Sequence, residues 1–270
     1  MDKVLDQEKN LASVALWDAS GRRQAEALAL AQRLALPLCG GVEEAREAAL
    51  LLVLTADRLE LQSRDGCDGG AIAVDFVTGK AGYRRQHGGG WRQPLARAVG
   101  LRPQQGIWIV DATPGLGQDA FVLAALGGRV TMLERAPVLA LLLEDGLRRL
   151  QAESQLRGLP QVTLTVQMVD SRHWLAERVG LPGAEQPAVI YLDPMYPHRE
   201  GSALVKKEMR RVRRLVGDDT DAGELLAVAL QVAQRRVVVK RPRAAPHLGE
   251  RKPTMVLESE QTRYDVYRLG

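Results

Sequence analysis

The sequence predicts an α/β protein: a mostly parallel sheet covered by helices over residues 91–270, preceded by a small mixed α+β domain over residues 1–90. Three observations lead there. From Gln93 onward, short apolar runs alternate with helix-length stretches. One of those runs passes directly into a glycine-rich turn that opens a helix. And 270 residues, 46% of them apolar, are enough to bury a core without a disulfide or metal staple.

The elements follow in order. Ser13–Trp17 reads as a short strand and the Ala/Leu/Gln-rich Arg22–Leu34 as a helix. Leu50–Thr55 and Arg58–Gln62 read as two strands around a tight turn, with Leu59 and Leu61 alternating against polar neighbours. Ala71–Val77 is expected to add a third. Gly79 to Gly90 ends in three consecutive glycines and is a loop, placing the domain boundary around residues 80–92. The second domain opens with a helix at Pro94–Val99. Strands are expected at Ile107–Asp111, Arg129–Leu133, Val162–Val169, Ala188–Leu192 and Arg236–Lys240. Helices fall at Gln118–Leu126, Val138–Gln155, Arg172–Arg178, Ser202–Val216 and Ala222–Gln234. Met255–Glu258 and Tyr264–Arg268 close the chain as two further strands. Alternation of this kind implies right-handed crossovers and a ligand site at the carboxyl ends of the strands.

Composition removes several classes. Charged residues make up 26%, ordinary for a globular protein and unlike a disordered one. The two cysteines, Cys39 and Cys67, cannot make a disulfide framework or a four-cysteine zinc site. The first ten residues mix both charge signs without an apolar core, so they do not read as a signal peptide. The longest apolar runs, near Ala48–Leu54 and Ala136–Leu143, fall far short of the ~20 residues that span a bilayer. A cytoplasmic protein with no membrane partner is expected.

The chemistry gathers at strand ends. Ile107-Trp-Ile-Val-Asp111 runs into a turn in which Gly115 and Gly117 let bare backbone and a helix start approach a ligand. The next strand ends in Glu134, about 20 residues on, where an acid can bind ribose hydroxyls. Together these suggest a nucleoside cofactor. Gly115 to Ala120 also satisfies the GxGxx[G/A] dinucleotide pattern, which keeps NAD open. Asp111 and Asp119 favour a methyl donor instead, because a pyrophosphate disfavours carboxylates aimed at it. S-adenosylmethionine carries a sulfonium cation and an amino-acid group. The third strand ends in Asp170-Ser171, able to hydrogen-bond an adenine amine or simply to cap a helix.

The fourth strand gives the sharpest signal, Val189-Ile-Tyr-Leu-Asp-Pro-Met-Tyr-Pro197. Asp193 and the Pro194 carbonyl can accept hydrogen bonds from an exocyclic amine, and Tyr196 can stack on a flat base. A base in paired RNA would have to be unstacked to reach such a pocket. The bland alternative is an Asp-Pro turn that merely ends a strand.

The Asp-Pro-Met-Tyr-Pro loop resembles the [DNS]-P-P-[YFW] motif of amino-group methyltransferases. Longer stretches resemble the ribosomal RNA small subunit methyltransferase J family, the 16S rRNA guanine-N2 methyltransferases. These are Val74-Asp-Phe-Val77, Arg84-Arg85 with Gly88-Gly-Gly90, Ala96 to Gly100, Asp111 to Leu123, Met132 to Arg135, Tyr191 to His198, Ser202 to Arg210 and Arg236 to Pro242. The resemblance covers roughly residues 50–270. It implies a class I, Rossmann-like methyltransferase sheet using S-adenosylmethionine. The cofactor contacts it implies fall on Gln118 and Asp119, Glu134 and Arg135, Asp170 and Ser171, and Asp193, beside Asp111, Gly115 and Gly117 of the turn. Gln118, where a basic residue is expected, and Pro114, where a small one is commoner, depart from the family pattern.

Arginine supplies 30 of the 37 basic residues, and the charges cluster after the Asp-Pro loop. On a helix, Lys207, Arg210, Arg211 and Arg214 share one face, with Lys206 beside them. Such a face can hold the phosphates of 16S rRNA or the small ribosomal subunit, or it is only solvated. Lys240, near the end of a later strand, is assigned to the same rim. His198 adjoins the Asp-Pro loop and could contact RNA. No second ligand stands at helical or turn spacing from it, so no metal site is expected. Three other functions stay open on the residues alone: methylation of another amine, an NAD-dependent oxidoreductase, and a non-catalytic RNA-binding assembly protein.

Overall fold

The computed structural model describes residues 13–66, 70–78, 90–103, 106–158, 161–195 and 219–270. Among these the chain forms two compact units, one from residues 13–74 with 136–149 and the other from 75–135, 150–195 and 219–270. Each unit has its own sheet.

The first unit holds β1 (Val14–Asp18), α1 (Gln24–Leu34), β2 (Leu38–Cys39), β3 (Leu50–Leu54) and β4 (Leu59–Ser63), with strand order β2-β1-β3-β4. β1 runs parallel to β2 and β3, and β4 returns antiparallel to β3. The tight turn of that hairpin is made by Thr55. Its N–H donates to the Arg58 carbonyl at 2.9 Å and its hydroxyl accepts the Arg58 N–H at 3.1 Å. All five residues of β3, the strand between β1 and β4, are apolar and buried, so the sheet is covered on both faces there. Each such leucine contributes roughly 2 kcal/mol by leaving water. α1 buries Ala27, Ala31 and Leu34, one face at helical spacing.

Two expectations fail in this unit. β2 was not foreseen, since two residues carry no readable period; it forms through parallel pairing of Leu38 with Leu16 and Cys39 with Trp17. The expected strand at Ala71–Val77 shrinks to a single bridge between Ile72 and Leu61. Asp75 is the cause: its carboxylate accepts the N–H groups of Val77 and Thr78, which bends the chain out of an extended path.

The second unit contains α2 (Pro94–Val99), β5 (Trp108–Asp111), α3 (Gln118–Ala125), β6 (Arg129–Glu134), β7 (Leu164–Met168), α5 (Ser171–Ala176), β8 (Val189–Leu192), α6 (Ala222–Val232), β9 (Arg236–Pro242), β10 (Met255–Glu258) and β11 (Thr262–Arg268). The long α4 (Pro137–Arg157) begins in the first unit and ends in this one. The strand order is β10-β11-β9-β8-β5-β6-β7. β5 to β9 are mutually parallel, and β11 and β10 are antiparallel additions at one edge. This is the predicted Rossmann-like sheet. The order reverses between β5 and β8, and there the two outgoing connections diverge to leave a crevice beyond their carboxyl ends. A core of Val110, Leu133, Ile190, Leu192, Leu225, Leu226, Val237 and Val239 packs under the strands. The expected helix at 202–216 lies outside the described residues. No described helix is long and apolar enough to cross a membrane.

Candidate active site

The switch point is built from the last residues of β5 and β8. Asp111 pairs in register with Tyr191, and the Ala112 N–H donates to the Tyr191 carbonyl. Beyond that rung the two chains stay linked, because the Asp193 N–H donates to the Thr113 hydroxyl at 2.5 Å. The chain after β5 turns through Gly115 (φ 54°) and Gly117 (φ 71°), both in the left-handed region that favours glycine. A Cβ at Gly115 would meet no described atom within 4 Å. Gly117 caps α3, whose first turn carries the exposed Gln118 and the buried Asp119.

One ammonium ties the site together. Lys240 Nζ lies 2.8 Å from Oδ2 of Asp119 and 2.8 Å from Oδ2 of Asp193. The Tyr191 hydroxyl donates to the same Asp119 oxygen at 2.8 Å. Asp111 stands behind this group, 1% exposed, with its Oδ1 accepting the Thr113 N–H. Burial drives the Asp111 carboxyl well above the ordinary carboxylate range, and the charges of Asp119 and Asp193 push the same way against the Thr113 hydrogen bond and Lys240. The Asp193 carboxyl is also raised by burial, with the Lys240 ammonium opposing and Asp119 adding to it. Burial alone would lower Lys240, but Asp193 and Asp119 outweigh it and hold the amine above its usual range. Burial, then Asp119, keeps the Tyr191 phenol protonated as a donor. Among the described residues Asp119 and Asp193 share the Lys240 ammonium with Asp111 buried behind them, an acidic set that suits a positively charged ligand better than a phosphate.

The cofactor candidates divide. Glu134 ends β6, 5% exposed. Ser171 is buried and donates to the Ala112 carbonyl at 2.7 Å, fastening α5 beneath the glycine turn. Asp170 caps α5 through the Arg172 N–H at 2.8 Å; burial opposes its ionisation, but the Arg172 hydrogen bonds win and hold its carboxyl low. Arg135 turns to Asp219 at 2.6 Å and Asp221 at 2.9 Å, and Asp219 also accepts the Met195 N–H at 2.8 Å. Arg135 is therefore a brace for the chain on both sides of residues 196–218. Pro194 is buried, while the Asp193 side chain keeps 39% exposure.

One placement corrects the sequence reading. Lys240, assigned to an outer RNA-binding rim, points into the carboxylate group of the switch point. The strand explains it: three consecutive buried valines show that β9 is covered on both faces, so Lys240 follows them into a partly buried position at the strand's carboxyl end. Thr113, Tyr191 and Asp219 were not singled out. A hydroxyl-bearing tyrosine inside the apolar Val189–Leu192 run was the available signal, since a buried Tyr O–H needs a partner. Asp219 offered none. Tyr196, His198, Lys206, Lys207, Arg210, Arg211 and Arg214 lie outside the described residues.

The donor set fits S-adenosylmethionine: an open glycine cradle, an acid ending the second strand of the fold and carboxylates where a sulfonium and an amino group would lie. Comparison with known proteins agrees. Residues 30–269 match the family described as "Putative SAM-dependent methyltransferase". A protein named ribosomal RNA small subunit methyltransferase J from Thioalkalivibrio sulfidiphilus is 50% identical over 251 residues, covering 92% of this chain and 94% of the relative. One of the same name from Aeromonas hydrophila is 52% identical over 219 residues, covering 81% and 86%. The crystal structure of a SAM-dependent methyltransferase from Neisseria gonorrhoeae superposes with a TM-score of 0.69 at 31% identity, covering 94% of this chain and 95% of that one.

Proposed function

The chain belongs to the ribosomal RNA small subunit methyltransferase J family of SAM-dependent methyltransferases, and from that premise we propose how it methylates the exocyclic N2 amine of a guanine in 16S rRNA. S-adenosylmethionine supplies a methyl group whose bond to sulfur breaks, with its electron pair, as the bond to nitrogen forms. Everything else falls to the chain's residues.

Glu134 takes the ribose hydroxyls, and the turn of Gly115 and Gly117 admits the amino-acid end beside Asp111 and Asp119. Asp170 and Ser171 border the adenine. Asp193 and the Pro194 carbonyl accept the two hydrogens of the guanine amine. An amine conjugated to a purine is a poor nucleophile; two acceptors on its hydrogens return lone-pair density to nitrogen and aim it. Tyr196 stacks on the flipped base. Lys206, Lys207, Arg210, Arg211 and Arg214 hold phosphates, which makes binding salt-dependent.

The observation that carries this reading is the half-open carboxylate of Asp193. Its Oδ2 is held by Lys240, and its Oδ1 has no partner among the described residues. An acceptor oxygen stands at the switch point on a side chain that is part exposed. The test is Asp193→Ala with small-subunit rRNA as acceptor. Removing the carboxylate should keep donor binding by calorimetry and lose turnover. Full turnover in that variant would remove Asp193 from the reaction.

A further inference from the structure

Lys240 was read from the sequence as a phosphate contact, yet its geometry gives it other work. It follows three buried valines in β9 and lies across from Tyr264 of β11. Its ammonium spans two elements at the switch point: the first turn of α3, through Asp119, and the loop after β8, through Asp193. Among the described residues, the ionisable groups bearing on this point are Asp111 from β5, Asp119 from α3, Tyr191 from β8, Asp193 and Asp219 on either side of residues 196–218, and Tyr264 from β11. Lys240 supplies the positive charge that touches Asp193.

We propose that Lys240 is a positioning residue of methyl transfer: it pins Oδ2 of Asp193 against Asp119, so that Oδ1 alone is presented to the acceptor amine. The inference rests on the methyl-transfer reading above. Two consequences follow from the pinning. A carboxylate held by one oxygen loses its free rotation, so the remaining lone pairs keep a fixed direction. The neighbouring ammonium also keeps Asp193 ionised, and only the ionised form accepts a hydrogen bond through either oxygen. Once the nitrogen–carbon bond has formed, the nitrogen carries one proton too many. That proton passes to Oδ1 and then to water, and Lys240 remains an ammonium throughout. Asp119 acts as the counterweight: it holds Lys240 in place, and its own charge disfavours a second ionised carboxylate.

The test compares Lys240→Met, Lys240→Arg, Asp119→Asn and the double variant Lys240→Met/Asp119→Asn. Two quantities are read: the titration of the Asp193 carboxyl by carbon-13 NMR, and the pH profile of kcat on rRNA. In Lys240→Met the Asp193 titration and the acid limb of kcat should move together to higher pH. Turnover at neutral pH should fall roughly 10- to 100-fold and recover as the pH is raised. Lys240→Arg, which keeps the charge, should stay close to wild type. The double variant, which removes one charge of each sign, should titrate between Lys240→Met and wild type; it also serves, against Asp119→Asn, if Lys240→Met does not fold. An Asp193 titration that stays at its wild-type pH in both Lys240→Met backgrounds overturns the inference. A wild-type protein that methylates no rRNA would overturn the functional reading instead, and the NMR titration would still decide the role of Lys240.

Discussion

Two carboxylates of the same unit, Asp265 inside a strand and Asp193 just beyond one, differ in what is left over. Asp265 on β11 is fully buried, and both its oxygens are taken. Arg263 Nε donates to Oδ1 at 2.9 Å and Nη2 to Oδ2 at 3.2 Å, while His247 Nδ1 meets Oδ2 at 2.8 Å. Arg263 is itself satisfied further by the Arg243 carbonyl at 2.8 Å. Asp193 also has a cation at 2.8 Å, yet among the described residues only one of its oxygens is used, and Asp119 holds the same ammonium. Both clusters are charged, enclosed and hydrogen-bonded. What separates a fastening from a site is the unspent acceptor and the surplus of one sign. Burial and charge alone would have ranked Asp265 first.

The largest effect expected from breaking this contrast is on stability. Asp265→Ala strands a buried guanidinium, so it should cost about 3–5 kcal/mol in denaturant unfolding while leaving kcat of the folded protein unchanged. Asp193→Ala should do the reverse, lowering kcat by roughly 10² to 10³ with little change in unfolding midpoint. If Asp193→Ala also collapsed the fold, the two carboxylates would not differ in kind. Glu134→Gln should come next, weakening donor affinity by roughly tenfold in calorimetry, the loss of about one charge-assisted hydrogen bond. The smallest effect concerns pH. The folded-state pKa of Asp111 is raised above its unfolded value, so its favourable contribution is complete at low pH and is lost as the pH rises through the folded value. Asp111→Asn should therefore gain stability relative to wild type as the pH is raised from 4 to 8. A variant that instead loses stability relative to wild type over that range would contradict a buried, reluctant carboxyl.

Much of the fold was legible because its strands are buried on both faces. Ile107–Asp111, Arg129–Leu133 and Ala188–Leu192 are short apolar runs closed by turn residues, and each became a strand shifted by no more than two residues. The acids that end them were legible for the same reason, since a carboxylate after such a run has few structural reasons to be there. Ala71–Val77 misled because its apolar alternation competes with the local hydrogen bonds of Asp75, which periodicity does not register. Lys240 misled because a run of basic residues averages over side chains that alternate in direction; a strand sends only some of them to solvent. Arg135 was placed correctly at the end of β6, but its engagement with Asp219 and Asp221 joins residues more than 80 apart and left no trace in spacing. The same holds for Tyr191 and Asp119, brought together only by the sheet.

The most direct measurement supplies tritiated S-adenosylmethionine and purified protein to 16S rRNA and small ribosomal subunits lacking the modification, followed by nucleoside mass spectrometry. N2-methylguanosine as the labelled product, absent with Asp193→Ala, is the predicted result. Label on another base, or no label on either acceptor while the donor still binds, would contradict an amine pocket built for guanine.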